Sequence, residues 1–260
     1  MGFENLLFEV SEGLARVTVN RPEKLNVLND ATVRELRGAF ERVRDDPSIG
    51  GAIVTGAGEK AFSAGADIAE LARMGPLEGR QKSRIGQEAL TFVETCGKPS
   101  IAAIQGFCFG GGLELALACT LRTASTTAKL GLPEVTLGIL PGYGGTQRLA
   151  RVAGPAVARE WILTGEAFPA AEAHRVGVVH RVYEPASLLP ETERLLRTIL
   201  SRGPVAVRCA LEAIARGLDG SLEEGQRLEA DLFAIVATTA DMKEGMAAFL
   251  EKRKPRFTGR

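Results

Sequence analysis

The chain is poor in the residues that anchor several common chemistries. It has two histidines, His174 and His180, and four cysteines, Cys96, Cys108, Cys119 and Cys209, with no CxxC pair among them. That spacing argues against a zinc knuckle or any other structural metal site, and against a disulfide scaffold. Three of the cysteines sit among apolar neighbours and read as small buried hydrophobes in a reducing compartment. No apolar run approaches the roughly 18 residues of a membrane span. The segment Met1 to Gly13 carries acids but no basic n-region, so no secretory signal is expected, and Leu6 stands where a myristoylation signal requires Ser or Thr. Excess charge is absent too: 32 Lys and Arg balance 32 Asp and Glu, and there are only one Trp and two Tyr. A neutral chain with few stacking aromatics makes nucleic acid a poor first partner. The expectation is a cytoplasmic protein with no membrane partner.

Familiar nucleotide and hydrolase signatures are also missing. No lysine follows a GxxxxG in the Walker pattern, and there is no GxSxG elbow. Gly56-Ala57-Gly58-Glu59-Lys60-Ala61 fits GxGxxA behind a strand signal, but Phe62-Ser63-Ala64-Gly65 follows where a dinucleotide site needs a helix. It reads as a turn. His174 and His180 bracket an apparent strand with no serine or cysteine motif nearby, which points to packing or surface duty.

What is present is a globular composition, 45% hydrophobic over 260 residues, enough for one large domain or for one domain plus an appendage. Strand and helix signals alternate through the first half. Leu14 to Asn20 alternates around Val17 and Val19, Ala52 to Thr55 and Ser100 to Ile104 are short apolar strands, and glycine-rich turns follow the latter two. From Asn29 a helix presents Val33, Leu36, Phe40 and Val43 on one face, with Thr32 and Glu35 at capping-box spacing. This predicts an α/β core. Beyond about Pro155 helical patterns dominate: Pro204 opens one with Val207, Leu211, Ile214 and Leu218, and Ser221 caps the next. The division expected is a catalytic core over residues 1–195 and a helical region over residues 196–260. Residues 69–94, broken by Gly75, Pro76 and Gly79, give no clear side-chain placement.

Two features carry chemistry. Phe107-Cys108-Phe109-Gly110-Gly111-Gly112 leads into the apolar run Leu113 to Ala118, setting three glycines at a helix mouth whose first-turn N–H groups are free to meet a substrate oxygen. Glu114 shares a helical face with Leu117 and Ala118, so its carboxylate points toward apolar surroundings. Glu134, between Pro133 and the run Val135-Thr136-Leu137, is a second isolated acid. Two such carboxylates can divide into acid and base, although spacing alone does not bring them together.

These residues resemble the crotonase, or enoyl-CoA hydratase, superfamily over nearly the whole chain. The resemblance runs through Asn20-Arg21-Pro22 to Asn29, Phe62 to Ile68, Gly106 to Ala118, Leu132-Pro133-Glu134, Pro141 to Leu149, and Glu244-Gly245-Met246 to Arg253. It implies a spiral of ββα units with a helical C-terminal layer that forms homotrimers, or hexamers built as dimers of trimers. It further implies a short- or medium-chain 2-enoyl-CoA hydratase with an oxyanion hole from the N–H groups of Ala66 and Gly111, Glu114 chiefly as base and Glu134 as proton donor. No cofactor is implied, coenzyme A being part of the substrate. The family pattern maps thioester and CoA contacts onto Lys24, Leu25, Asn26, Ala64, Gly65, Asp67, Ile68, Gly110, Pro133, Gly142 and Tyr143, and onto Phe233, Phe249 and Lys252 near the C-terminus. Thr120 departs from a usual aspartate, Val27 from an alanine, and Tyr143 from a small residue. Methylglutaconyl-type hydration and enoyl isomerisation are the neighbouring activities, and some relatives bind RNA.

Overall fold

The computed structural model describes residues 2–260. Its strands are β1 (Leu6–Ser11), β2 (Leu14–Val19), β3 (Gly51–Gly56), β4 (Ala61–Ser63), β5 (Ser100–Ile104), β6 (Phe107–Phe109), β7 (Leu121–Ser125), β8 (Lys129–Gly131), β9 (Phe168–Pro169) and β10 (Arg181–Tyr183). Its helices are α1 (Asp30–Asp45), α2 (Ile68–Leu71), α3 (Pro76–Thr95), α4 (Gly111–Ala118), α5 (Gly145–Thr164), α6 (Ala170–Arg175), α7 (Leu188–Leu200), α8 (Pro204–Gly217), α9 (Leu222–Ala237) and α10 (Ala240–Leu250).

Successive strands alternate between two sheets. One has the order β1-β2-β3-β5-β7-β10, the other β4-β6-β8-β9, so the pairs β3/β4, β5/β6 and β7/β8 each place one strand in each sheet before the chain turns helical. Three such turns make the ββα spiral. Pairing is parallel throughout the turns of the spiral, and antiparallel only at β1-β2 and β8-β9. Every residue of β3 and β5 is buried, because helices cover one face of the large sheet and the smaller sheet and α4 fill the other side. That two-sided burial is why these strands read as unbroken apolar runs rather than alternating ones. Ile53, Ile101 and Ala103 pack on Leu188 and Leu196 of α7, while Val54, Ala102 and Ile104 join the main core with Phe40, Phe62 and Leu113.

Several local expectations are corrected. Helix α1 is capped by Asn29, whose side chain accepts from the Thr32 N–H at 2.9 Å; Glu35 instead accepts from the Glu4 and Asn5 N–H groups and ties down the N-terminus. Strand β1 carries no sequence signal, and it forms by closing a hairpin on β2 through Glu12 and Gly13, both at positive φ as a tight two-residue turn requires. The stretch between the histidines is the end of α6 and a turn, and the strand begins after His180, at Arg181. Residues 76–95 form one helix, started by Pro76 in its first turn, with Lys82, Gly86, Ala89, Leu90 and Val93 on its buried face. Thr120 exchanges hydrogen bonds with Ser100, its Oγ1 accepting from the Ser100 N–H at 3.0 Å, so this departure from the family pattern serves packing. Ser221 caps α9 in a full capping box with Glu224. Among the described residues, no helix is long and apolar enough to cross a membrane.

Candidate active site

The strand-to-helix step β6–α4 builds the floor of the site. Gly110 sits at φ 51° and ψ −126°, where a side chain is strongly disfavoured, and turns the chain sharply into α4. Gly112 lets α4 press on β4: a Cβ there would stand 2.4 Å from the Ser63 carbonyl oxygen. All eight residues of α4 are buried, so the expected apolar face of this helix is its whole circumference. As the first residue of α4, Gly111 has no intrahelical acceptor for its N–H.

Ala66 comes to meet it for a different reason. Leu28 bridges this segment by donating to the Gly65 carbonyl at 2.7 Å and accepting from the Asp67 N–H at 3.2 Å. The ladder uses the residues on either side of Ala66 and leaves its own N–H facing the other way. Neither the Ala66 nor the Gly111 N–H has a backbone acceptor among the described residues. A Cβ added to Gly111 would lie 3.5 Å from the Ala66 nitrogen, so the two free donors are neighbours.

Glu114 is only 2% exposed. Its Oε1 accepts from the N–H groups of Tyr143 and Gly145, each at 2.7 Å, and the second oxygen is left for chemistry. Burial pushes its pKa up to about 7; the Gly145 and Tyr143 donors oppose that shift, and the negative charge of Glu134 adds to it. Glu134 stands in the first turn of the 3-10 helix Pro133–Leu137, its carboxyl against Gly110. Its buried Oε2 has no partner among the described residues, and burial raises its pKa to about 7 as well. The fold thus brings together the two acids that spacing alone could not connect.

Both acids and both free N–H groups line one cavity of about 630 Å³. Of the residues singled out in the sequence, Ala64, Gly65, Ile68, Gly110, Pro133, Gly142 and Tyr143 share this lining with the catalytic candidates. Lys24, Leu25, Asn26 and Asp67 lie outside it, although the Ala64 N–H donates to the Leu25 carbonyl at 3.0 Å and holds the 24–26 turn beside the rim. Asn26 is fully buried, its side chain donating to the Ala57 and Ala61 carbonyls and its N–H to the Arg21 carbonyl, so it fixes the shape of the turn and does not itself face the cavity. The Asp67 carboxylate caps α2 by accepting from the Ala69 N–H. Phe233, Phe249 and Lys252 stand on exposed parts of the C-terminal region and do not reach the cavity within one chain.

Helix α3 supplies a wall whose side chains could not be placed from the sequence. Lys82, 8% exposed, pairs with Asp30 and with Glu70 at 2.6 Å, and these partners outweigh burial to hold its pKa above the usual lysine range. Ser83 Oγ donates to the Gly142 carbonyl at 2.6 Å, and Gln87 Nε2 donates to the same oxygen at 3.0 Å. The N–H of that peptide unit is the Tyr143 donor to Glu114, so one peptide links α3 to the acid. The signal was present as an apolar stripe ending in a lysine, but it is legible only once residues 76–95 are known to be one helix.

Comparison with known proteins identifies the family. The family model described as enoyl-CoA hydratase/isomerase matches residues 9–260. The chain is 44% identical over 257 residues to a crotonyl-CoA hydratase of Syntrophomonas wolfei, covering 99% of each. It is 41% identical over 254 residues to a short-chain-enoyl-CoA hydratase of Clostridium acetobutylicum, covering 98% of this chain and 97% of that one. The crystal structure of an enoyl-CoA hydratase from Bacillus anthracis superposes with a TM-score of 0.95 at 39% identity, over 99% of this chain and 100% of that one. With the spiral fold, the paired acids and full-length identities of this size, the chain belongs to the enoyl-CoA hydratase/isomerase family.

Proposed function

We propose that the chain catalyses the reversible syn addition of water across the 2,3 double bond of a short 2-enoyl-CoA, giving a 3-hydroxyacyl-CoA. The observation that carries this reading is the pair of glutamates, both with pKa raised to about 7, facing one cavity beside two unpaired N–H groups. The thioester oxygen accepts from the Ala66 and Gly111 N–H groups. Glu114 takes a proton from a water whose oxygen bonds to Cβ, the double-bond electrons move onto the thioester as an enolate, and Glu134 delivers its proton to Cα. Atoms balance as one water added. Each N–H bond that tightens as charge develops on the oxygen is worth about 2.7–4 kcal/mol. Proton transfers occur between side chains, water and substrate, so the sequence of steps calls on no metal or redox cofactor. Isomerisation moves one proton out and back and needs a single acid; two poised acids favour hydration.

The wider assignments follow the family. Lys24 and Leu25, on the turn that the buried Asn26 holds, and the loop 64–68 are suited to hold the CoA moiety through backbone groups. Phe233, Phe249 and Lys252 would complete that site from a neighbouring copy in a trimer or a hexamer. Support comes from the exposed apolar side chains of α9 and α10, among them Leu222, Phe233, Ile235, Met246, Phe249 and Leu250. Four buried, unpaired cysteines suit a reducing cytoplasm.

Crotonyl-CoA incubated with the protein is expected to lose its conjugated-thioester ultraviolet absorbance, and the product to be 3-hydroxybutyryl-CoA by mass. An unchanged spectrum at micromolar enzyme would refute the hydratase reading. Replacing Ser83 by Ala removes one donor from the Gly142 carbonyl and weakens the Tyr143 N–H as a donor to Glu114. We expect kcat to fall about fivefold, the worth of one hydrogen bond, and the acid limb of the kcat profile to move to higher pH. Ser83→Thr should restore both. An unshifted limb would disprove the coupling.

A further inference from the structure

The Tyr143 ring occupies a position that the proposed hydration does not use. It is 5% exposed and wedged between two glycines. A Cβ on Gly86 of α3 would fall 2.1 Å from Tyr143 Cδ1, and a Cβ on Gly111 would fall 3.5 Å from Cδ2. One edge of the ring therefore rests on bare α3 backbone, and the other stands beside one of the two free N–H donors. Tyr143 lines the cavity and Gly86 does not, so the ring fills what would otherwise be open space down to the helix.

The residue is also anchored at both ends of its backbone. Its N–H donates to Glu114 at 2.7 Å, and its carbonyl accepts from Arg148 Nη1 at 2.9 Å, with Arg148 Nε in turn on Glu94 of α3 at 2.9 Å. The wall cannot swing aside without disturbing the acid. The hydroxyl end of the ring is toward Lys82 with its partners Asp30 and Glu70, an ion cluster that an alkyl chain would have to strip of its contacts with water and with itself.

We propose that the Tyr143 ring, seated on Gly86, is the acyl stop that restricts this enzyme to short 2-enoyl groups; the proposal rests on the hydratase reading above. A rigid wall this near the reacting carbons discriminates by about 10–200-fold for a single methylene. The terminal methyl of a crotonyl group lies one carbon beyond the attacked Cβ and fits in front of the ring. A methylene added in line with it must displace the ring, turn toward the ion cluster, or bend away along the apolar wall of Leu71, Met74 and Leu140.

The test compares kcat/KM for the 2-enoyl-CoA thioesters of four, eight and twelve carbons in wild type, Tyr143→Ala and Gly86→Ala. In wild type, kcat/KM is expected to fall at least about tenfold from four to eight carbons. Tyr143→Ala opens the space above Gly86 and should raise the eight-to-four ratio at least about tenfold, whatever it does to absolute rates. Gly86→Ala pushes the ring into the cavity and should lower that ratio further. Tyr143→Val serves as a second cavity variant if the alanine form is unstable by circular dichroism. Crotonyl-CoA hydrated with an eight-to-four ratio near one, or a ratio unmoved by a folded Tyr143 variant, overturns the stop and leaves the hydratase reading standing. No hydration of any of the three overturns both.

Discussion

Glu114→Gln and Glu134→Gln are each expected to lower kcat on crotonyl-CoA by roughly 10²–10⁴-fold, the range of a lost general acid or base. The amide preserves shape and, at position 114, still offers an oxygen to the Tyr143 and Gly145 N–H groups. What it cannot do is take up or release a proton near neutral pH. The inhibition constant for the product 3-hydroxybutyryl-CoA should change little, because the oxyanion donors and the CoA-holding backbone are untouched. The double variant should lose far less than the product of the single losses, since the two acids act on one water. Either single variant retaining kcat within a factor of two would remove that residue from the mechanism. With both groups titrating at about 7, the wild-type kcat/KM should describe a narrow bell around neutral pH, its limbs belonging to the pair rather than to either acid.

The same Glu114→Gln substitution is expected to stabilise the protein at pH 8 by roughly 3 kcal/mol. A glutamate carboxyl free in water titrates at 4.5, and this one titrates at about 7 in the fold. Between those values the folded state holds a proton that the unfolded state releases, so stability falls as pH rises through this window. Above about 7 the loss is complete, and below 4.5 it is absent. Gln carries no such charge, so its advantage should be full at pH 8 and near zero at pH 4.5. For a chain of this size that corresponds to a melting temperature about 6–12 °C higher at pH 8. Parallel wild-type and variant melting curves across this pH range would mean that Glu114 is not buried as a strained carboxylate. A residue whose removal raises stability while abolishing turnover is what a functional, rather than structural, buried charge should show.

Much of this was readable along the chain. The apolar runs 52–55 and 100–104 announced buried parallel strands because both faces of those strands are covered. The glycines at 110–112 announced a close backbone approach. Glu114 announced itself as a charge within a wholly buried helix, and Glu134 as an isolated acid in an apolar run, although the residues that follow Glu134 are largely exposed. Other elements were silent for identifiable reasons. Strand β1 depends on its hairpin partner rather than on its own alternation. Residues 76–95 carry glycines that weaken the helical signal, yet Gly86 is there to accommodate the Tyr143 ring.

The sequence by itself determined the family, several of the strands and helices of the core, and the two glutamates and the glycines that are candidates for the reaction. Those depend on local pattern and residue chemistry. Only the tertiary structure decided that the Ala66 and Gly111 N–H groups are both unpaired and adjacent, because that follows from how Leu28 bridges one loop and how Gly112 packs against Ser63. Only it set both carboxyl pKa values near neutrality, since desolvation is a property of the closed cavity and not of the residue. The place of the Tyr143 ring is of the same kind: residues 86, 111 and 143 are separated by long stretches of sequence, and the contact that shapes the acyl pocket exists only where three elements of the spiral meet.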